Sequence, residues 1–122
     1  MRAIVARRFM AANAKRVDEI APLYGYDEGL VVYREGRVIR GWIAYKKYWE
    51  AAITTLPPGF QVHFDDVGFR FGSDMAFVTA RWATSYEDRH GKETQSTGLM
   101  TLILVRQPGA WHIVHEHISS IK

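Results

Sequence analysis

The sequence contains no cysteine, which excludes disulfide bonds, thiolate zinc sites and cysteine nucleophiles. This absence suits a reducing compartment, and the predicted location is the cytoplasm. No apolar run approaches the roughly 20 residues that a membrane-spanning helix needs, so a membrane is not an expected partner. The net charge is only +3, and the basic residues are scattered rather than clustered beside aromatic side chains. Nucleic acid is therefore not an expected partner either.

What the sequence does contain is the balance of an ordinary globular domain. Hydrophobic residues make up 48% of the chain and charged residues 24%, as in typical water-soluble proteins. A length of 122 residues is enough to bury a core without disulfides or metals. Because no linker, repeat or low-complexity segment interrupts the chain, we predict one domain that covers residues 1–122.

Three helices are predicted in the first half of the chain. Residues 3–14 are rich in strong helix formers, and residues 17–24 form a second, short helix before Gly25. Residues 42–55 form the third, which the Pro57-Pro58-Gly59 segment ends. The predicted apolar face of the first helix consists of Ile4, Val5, Phe9, Met10 and Ala12, and that of the third of Trp42, Tyr45, Trp49 and Ile53.

Strands dominate the second half of the chain. After a short predicted hairpin of residues 30–33 and 38–40, alternating apolar residues indicate long strands over residues 60–71, 75–86, 94–106 and from Trp111 onward. The last of these is rich in polar, titratable groups, which predicts a central position in the sheet. Helices followed by an antiparallel meander predict an α+β fold, a curved sheet with helices on one face.

The closing segment from Gly109 to Ser119 reads Gly-Ala-Trp-His-Ile-Val-His-Glu-His-Ile-Ser. It resembles the Gly-x-Trp-x-Ile-Val-His-x-His-x-Ser string of the nuclear transport factor 2-like superfamily. Within that superfamily, the chain is most similar to the SnoaL-like group and to the association domain of calcium/calmodulin-dependent protein kinase II. Residues 17–24 match the family's second helix, and Arg40-Gly41 precedes the third helix as in those proteins.

This resemblance implies a cone-shaped, curved, mostly antiparallel sheet wrapped around three N-terminal helices, with a pocket between them. Members of the superfamily include isomerases, cyclases, dehydratases, epoxide hydrolases and pure association or transport modules. The fold therefore does not define the reaction.

The resemblance also implies candidate pocket residues. The pocket arginines of the association domains match Arg81, a position near Thr101 or Leu102, and Ile118, and their pocket histidine matches Tyr45. Strand alternation places Glu116 on the face of Ile118, and Phe77 and Thr79 on the face of Arg81. The predicted ligand-binding residues are Tyr45, Trp49, Phe77, Thr79, Arg81, Thr101 and Ile118, and the predicted catalytic residues are Arg81 and Glu116.

Arg81 and Glu116 allow two interpretations. They form a buried structural ion pair, since buried charges are normally paired. Alternatively, Arg81 orients a polar group of the substrate while Glu116, partly desolvated, acts as a general base. The two interpretations are compatible.

The sequence lacks the residues that two other kinds of site, a steroid isomerase site and a metal site, would require. The tyrosine and two aspartates of the steroid isomerases of this fold would fall on Arg8, Val32 and Thr101, so that mechanism is not expected. His115 and His117 share a strand face, but the sequence places no third ligand beside them. Neither a metal nor another cofactor is expected.

The predicted function is a small-molecule-binding pocket protein of the SnoaL-like type, whose catalytic form would be an acid/base isomerase, cyclase or hydrolase. The alternative is a non-catalytic module for ligand binding or oligomerisation. Self-association is also predicted, because apolar side chains on the outer sheet face would mark an interface. The predicted homodimer contact consists of Val78, Trp82, Tyr86, Trp111, Ile113 and His115, with His117 close by.

Overall fold

A computed structural model describes residues 2–14, 17–24, 29–107 and 109–121. Its elements are, in order, α1 (Arg2–Ala14), α2 (Val17–Ile20) with a 3-10 turn (Ala21–Leu23), β1 (Val31–Arg34), β2 (Arg37–Arg40), α3 (Trp42–Thr55), β3 (Gln61–Phe71), β4 (Met75–Glu87), β5 (Glu93–Gln107) and β6 (Ala110–Ile121). This order confirms the predicted α+β class. No helix in the described ranges has the length and apolar character needed to cross a membrane.

The strands form one curved, unclosed sheet in the order β2-β1-β6-β5-β4-β3. All neighbouring strands are antiparallel except β1 and β6, which run parallel. The predicted mostly antiparallel sheet is therefore confirmed. The closing strand β6 lies inside the sheet, where β1 and β5 satisfy its backbone on both sides.

Two irregularities bend this sheet. In β3 the register with β4 shifts between Asp65 and Gly68, and Asp66 there has a positive φ of 51°. In β6 the partners of Ile103 and Leu104 are His115 and Ile113, so Val114 faces no residue of β5. A bulge reverses the alternation beyond it. For this reason Ile113 is buried, whereas alternation had placed it on the outer face beside His115.

The helices cover the inner face of the sheet. The core contains residues from every layer, namely Val5, Ile20, Leu23, Tyr24, Val32, Tyr45, Trp49, Val78, Met100, Leu102, Leu104 and Ile113. Phe9 of α1 stacks on Phe64 of β3, with ring centroids 4.1 Å apart. This packing leaves the opposite, outer face of the sheet without a covering element among the described residues.

Helix α1 differs from its predicted apolar face at two positions. Met10 is 70% exposed, whereas Arg8, a charged residue, is only 2% exposed. The buried residues of α1 are Val5, Arg8 and Ala11, a three-residue spacing that defines one helical face. The side chain of Ala12, which the prediction also placed there, lies outside the described part of the structure.

Candidate functional site

A cavity of about 940 Å³ lies between α3, the β1–β2 hairpin and the inner face of the sheet. Its apolar and aromatic wall includes Tyr48, Trp49, Phe60, Val62, Phe64, Trp82, Met100 and Ile118. Its charged lining consists of Arg8, Arg34, Arg37, Arg40, Lys47 and Glu35. A cavity of this size with apolar walls and a few convergent polar groups is typical of small-molecule sites.

Behind Arg8, at the base of the cavity, lies a fully buried carboxylate, that of Glu116. Arg8 donates to it through Nε, 2.7 Å from Oε1, and through Nη2, 3.4 Å from Oε2. The hydroxyls of Tyr24 and Tyr45 donate to its two oxygens. The Arg8 Nε also lies 2.9 Å from the Tyr24 hydroxyl. Glu116 is thus saturated by donors from three different elements.

The sequence positions these groups through ordinary packing. Glu116 stands on the central strand, opposite Leu102 of β5 and Val32 of β1. The Tyr24 backbone forms a bridge to Ile113. The Tyr24 ring packs edge-on against Tyr45, with centroids 5.5 Å apart. Because each phenol is locked by its ring contacts, both hydroxyls converge on the carboxylate.

The electrostatics of this cluster keep Glu116 ionised. Burial raises the pKa of Glu116, but the charge of Arg8 and hydrogen bonds from Arg8, Tyr24 and Tyr45 outweigh it, and the net pKa lies below the ordinary value. Burial lowers the pKa of Arg8, and the Glu116 charge more than reverses this, so its pKa is raised well above the ordinary value.

The pKa values of Tyr24 and Tyr45 are raised, whereas that of Glu116 is lowered. Burial raises the pKa of Tyr45 to about 12, and the nearby Glu116 charge adds to this effect. Burial also raises the pKa of Tyr24 well above its ordinary value. Both tyrosines therefore stay protonated and act as hydrogen-bond donors near neutral pH.

A second arginine, Arg34, is linked to this cluster. Its Nη1 donates to the Tyr45 hydroxyl at 3.1 Å. Its Cζ lies 4.9 Å from the ring centroid of Tyr48 and 5.8 Å from that of Trp49. The Cζ of Arg8 lies 5.2 Å from the same Trp49 ring. The two guanidinium groups thus share one indole ring, a cation–π arrangement.

Four buried nitrogens that belong to cavity-lining residues have no hydrogen-bond acceptor among the described residues. They are Arg8 Nη1, Arg34 Nε, Trp49 Nε1 and Trp82 Nε1. Arginine and tryptophan side chains can only donate hydrogen bonds. These four side chains therefore offer hydrogen-bond donors to the cavity and contribute no acceptors.

Gly98 gives Trp82 its position on the cavity wall. The two residues are opposite each other on β5 and β4. A Cβ atom at Gly98 would lie 2.2 Å from Cζ2 of the Trp82 indole and 1.9 Å from the backbone oxygen of Ser119. The indole can lie flat across the sheet only because this position has no side chain.

The structure corrects the predicted place of Arg81. Arg81 lies on the outer face, where its Nε and Nη2 donate to Oδ1 and Oδ2 of Asp65 at 2.8 and 3.0 Å. The predicted ion pair of Arg81 with Glu116 is therefore wrong, since Arg8 is the partner of Glu116. The reason is that alternation defines two sets of residues on β4, and the buried set is Ala76, Val78 and Ala80.

The other predicted ligand-binding residues divide between the two faces. Trp49 and Ile118 line the cavity, and Tyr45 is buried beside it in the Glu116 cluster. The remaining three, Phe77, Thr79 and Thr101, lie on the outer face. Thr101 is opposite both Thr79 and His117, and Phe77 is opposite Ile103. Their predicted position in the pocket is wrong.

Sequence reasoning missed Arg8, Tyr24 and Arg34. Arg8 was considered as one of the scattered basic residues and as the position of an absent isomerase tyrosine, but not as a buried cation. Its spacing of three from Val5 and Ala11 places it on the buried face of α1. A cation on such a face requires an anionic partner, and Glu116 was the available candidate. For Arg34, at the end of the predicted hairpin strand, the sequence carries no comparable signal.

His115 and His117 lie on the outer face, as alternation together with the resemblance predicted. The Tyr33 ring meets both edge-on, with centroid distances of 5.1 and 5.6 Å, and His115 Nδ1 is 2.7 Å from the Val31 carbonyl oxygen. Within the described ranges, no three His, Cys, Asp or Glu side chains are grouped as metal ligands.

The predicted dimer surface is corrected in the opposite direction from Arg81, because most of its residues were predicted on the outer face and lie on the inner one. Val78 and Ile113 are buried in the core, and Trp82 and Trp111 pack against it. Tyr86 is half-buried, with its ring centroid 6.3 Å from that of Phe60 on the inner side. The exposed apolar residues of the outer face include Tyr33, Met75, Phe77, Leu99 and Ile121.

The curved sheet, the helices on its inner face and the cavity between them define a class, the nuclear transport factor 2-like α+β proteins. The model of the SnoaL-like domain family matches residues 1–122 of the chain. The chain belongs to this family.

Solved structures support the same fold. A nuclear transport factor 2-like superfamily protein from Salmonella enterica is 15% identical, with a TM-score of 0.85 over 98% of this chain and 87% of its own. The association domain of CaMKII from C. elegans is 19% identical, with a TM-score of 0.78 over 97% and 93%. An uncharacterised protein with a cystatin-like fold from Caulobacter vibrioides is 18% identical, with a TM-score of 0.83 over 99% and 87%. No curated protein matches the chain.

Proposed function

We propose that this protein binds a small, largely apolar molecule in the cavity between α3 and the sheet. The observation that carries the proposal is the cavity itself, about 940 Å³ in volume and walled by aromatic and aliphatic side chains. A large concave apolar surface with a few convergent polar groups is the usual form of a ligand site. Trp49 and Ile118, both predicted to bind ligand, would contact its apolar body.

In this proposal Glu116 is a positioning residue. It has no exposed surface, and Arg8 stands between it and the cavity. A general base must reach the proton that it removes, and its pKa should lie near the working pH. The lowered pKa of Glu116 and its full set of donors favour a structural role, which orients Arg8 and Tyr45. Ligand binding is therefore the activity that the geometry supports best.

The four tryptophans provide a direct test. Trp49 and Trp82 line the cavity, whereas Trp42 and Trp111 do not. A naphthalene-sized ligand that enters the cavity should shift the indole N–H resonances of the first two in a ¹⁵N-correlated NMR spectrum. The other two resonances are the internal control. Equal small shifts of all four, or shifts of the control pair alone, would contradict the proposal.

A matched pair of variants strengthens this test. Ile118→Trp would add a ring inside the cavity and should abolish the binding. Thr101→Trp adds the same ring on the neighbouring strand, but on the outer face, and should leave binding unchanged. Both variants must first show a native thermal transition.

We also propose that the protein associates with itself through the outer face of the sheet. Phe77, Leu99 and Ile121 are 46%, 52% and 52% exposed there. Several large apolar side chains exposed on one face are typical of a protein interface. His115 and His117 lie on this face and would be near the contact.

A further inference from the structure

The charges at the base of the cavity do not balance. Arg8 is neutralised by Glu116, 2.7 Å away. Arg34 forms no ion pair with any carboxylate in the described part of the chain; its only hydrogen-bond acceptor there is the neutral Tyr45 hydroxyl. Nearer the entrance the lining contains Arg37, Arg40 and Lys47 against the one acidic residue, Glu35. Counted over the described residues, the inner cavity therefore carries one more positive than negative charge, and its entrance is basic as well.

The unsatisfied donors lie in the same region as this charge. Arg8 is 2% exposed and Trp49 is 8% exposed, and both have a nitrogen without an acceptor among the described residues, Nη1 and Nε1. Because Nε and Nη2 of Arg8 face Glu116, the planar guanidinium directs Nη1 away from that carboxylate. Arg34 adds its Nε. These three donors belong to residues joined by the Trp49 ring, which both guanidinium groups approach.

From this geometry, and resting on the small-molecule function proposed above, we infer that the ligand is an organic monocarboxylate. Its carboxylate accepts hydrogen bonds from Arg34 Nε, Arg8 Nη1 and Trp49 Nε1, and its apolar, ring-bearing body lies against Trp82, Phe64 and Ile118. A single negative charge matches Arg34, the cation of the inner cavity that has no carboxylate partner among the described residues. A planar carboxylate also matches the donor geometry of guanidinium groups.

The two aromatic neighbours of Arg34 support this assignment. Its guanidinium approaches both Tyr48 and Trp49, at 4.9 and 5.8 Å from the ring centroids. Neither ring supplies an anion, so within the described part of the chain the charge of Arg34 is held in place without a carboxylate to neutralise it. A preorganised, partly desolvated cation of this kind binds an incoming anion without the cost of ordering its own side chain.

The test compares two probes of nearly equal shape, 2-naphthoate and 2-naphthamide, by isothermal titration calorimetry. The carboxylate should bind at least about tenfold more tightly than the neutral amide, the effect of charge-assisted hydrogen bonds. Equal affinities, or a preference for the amide, would overturn the monocarboxylate inference while the proposed binding function stands. Failure of both probes to bind would contradict both.

Three variants locate the anion. Arg34→Met keeps an unbranched side chain but removes the charge, and should reduce the naphthoate affinity to that of the amide without weakening the amide. Trp49→Phe keeps a ring but removes Nε1, and should reduce the preference several-fold. Arg81→Met, on the outer face, is the matched control and should change neither affinity. Retention of the full preference in both Arg34→Met and Trp49→Phe would overturn the inference.

Discussion

Nε of Arg8 lies 2.7 Å from Oε1 of Glu116, although the two residues are 108 positions apart in the chain. The contact joins the first helix to the strand at the centre of the sheet. It is buried on both sides, with side-chain exposures of 3% and 0%. A charged pair at this depth is costly to form but far more costly to break on one side. The base of the cavity thus depends on the closing strand and the first helix together.

Removal of this carboxylate should destabilise the protein strongly. In Glu116→Gln the amide oxygen still accepts a hydrogen bond from one tyrosine, while the other hydroxyl faces the amide nitrogen, itself a donor. Arg8 is left as a buried, unpaired cation. We expect the free energy of unfolding to fall by about 3–5 kcal/mol, measured by urea denaturation. Asp65→Asn is the control, because its partner Arg81 is exposed, and it should leave the unfolding midpoint nearly unchanged.

A double variant separates charge from packing. If the loss arises from the unpaired cation, Arg8→Met combined with Glu116→Leu should recover much of the stability lost in Glu116→Gln, since apolar pairs often replace buried ion pairs at little cost. An unfolding midpoint no higher than that of Glu116→Gln would contradict this account.

Stability should fall at both extremes of pH. The folded pKa of Glu116 lies below its ordinary value of about 4.3, so the unfolded chain binds more protons in acid, and the contribution of Glu116 is lost as the pH falls through that range. The folded pKa of Tyr45 is raised to about 12 from about 10, so its contribution is full below pH 10 and is lost as the pH rises toward 12.

Denaturation curves at a series of pH values measure both effects. Glu116→Gln should flatten the acid limb, and Tyr45→Phe should flatten the alkaline limb. An acid limb of unchanged slope in Glu116→Gln would show that other carboxylates cause it.

Gly98→Ala should disturb the cavity wall. The new methyl group would collide with the Trp82 indole and with the Ser119 backbone oxygen, which lies in the sheet and cannot move freely. We expect a loss of about 1–3 kcal/mol or more, as for other overpacked sites, and a change in Trp82 fluorescence. Gly68→Ala is the control, because its Cβ would meet only the Thr79 hydroxyl at 3.1 Å.

Self-association should depend on the outer face. Leu99→Glu places a charge among the exposed apolar residues of β5 and its neighbours, and light scattering should show a smaller species than the native protein. Ile43→Glu is the matched control, because Ile43 is 74% exposed but belongs to α3 rather than to the sheet. A native protein that is monomeric at micromolar concentration would contradict the proposed association.

The element order followed from local patterns in the sequence. The third helix was predicted at residues 42–55 and is observed as Trp42–Thr55. The predicted strands differ from the observed ones by one or two residues at their ends. The bounds of such segments can be predicted because hydrophobic periodicity, secondary-structure propensity and the helix-ending Pro57-Pro58 pair each depend on a few neighbouring residues. The central position predicted for the closing strand was also correct.

The site could be predicted only in fragments. Glu116 and Ile118 were named because alternation and the resemblance placed them on the inner face, and Trp49 belongs to the predicted apolar face of the third helix. Arg81 was assigned to the wrong side. Alternation divides a strand into two sets but does not say which set is inside, because both sets of β4 contain apolar residues. Burial of the set that includes Val78 was decided by packing against the core.

What the sequence determined by itself was the order and type of the elements, and hence the α+β fold and its family. Only the tertiary structure decided that Arg8 pairs with Glu116 and that Arg34 has no such partner in the ranges that the structure describes. The bulge at Val114, which carries Ile113 into the core, was likewise decided there. Local signals depend on neighbouring residues, whereas the pairing of charges 108 positions apart depends on how the helices and the sheet close around one core.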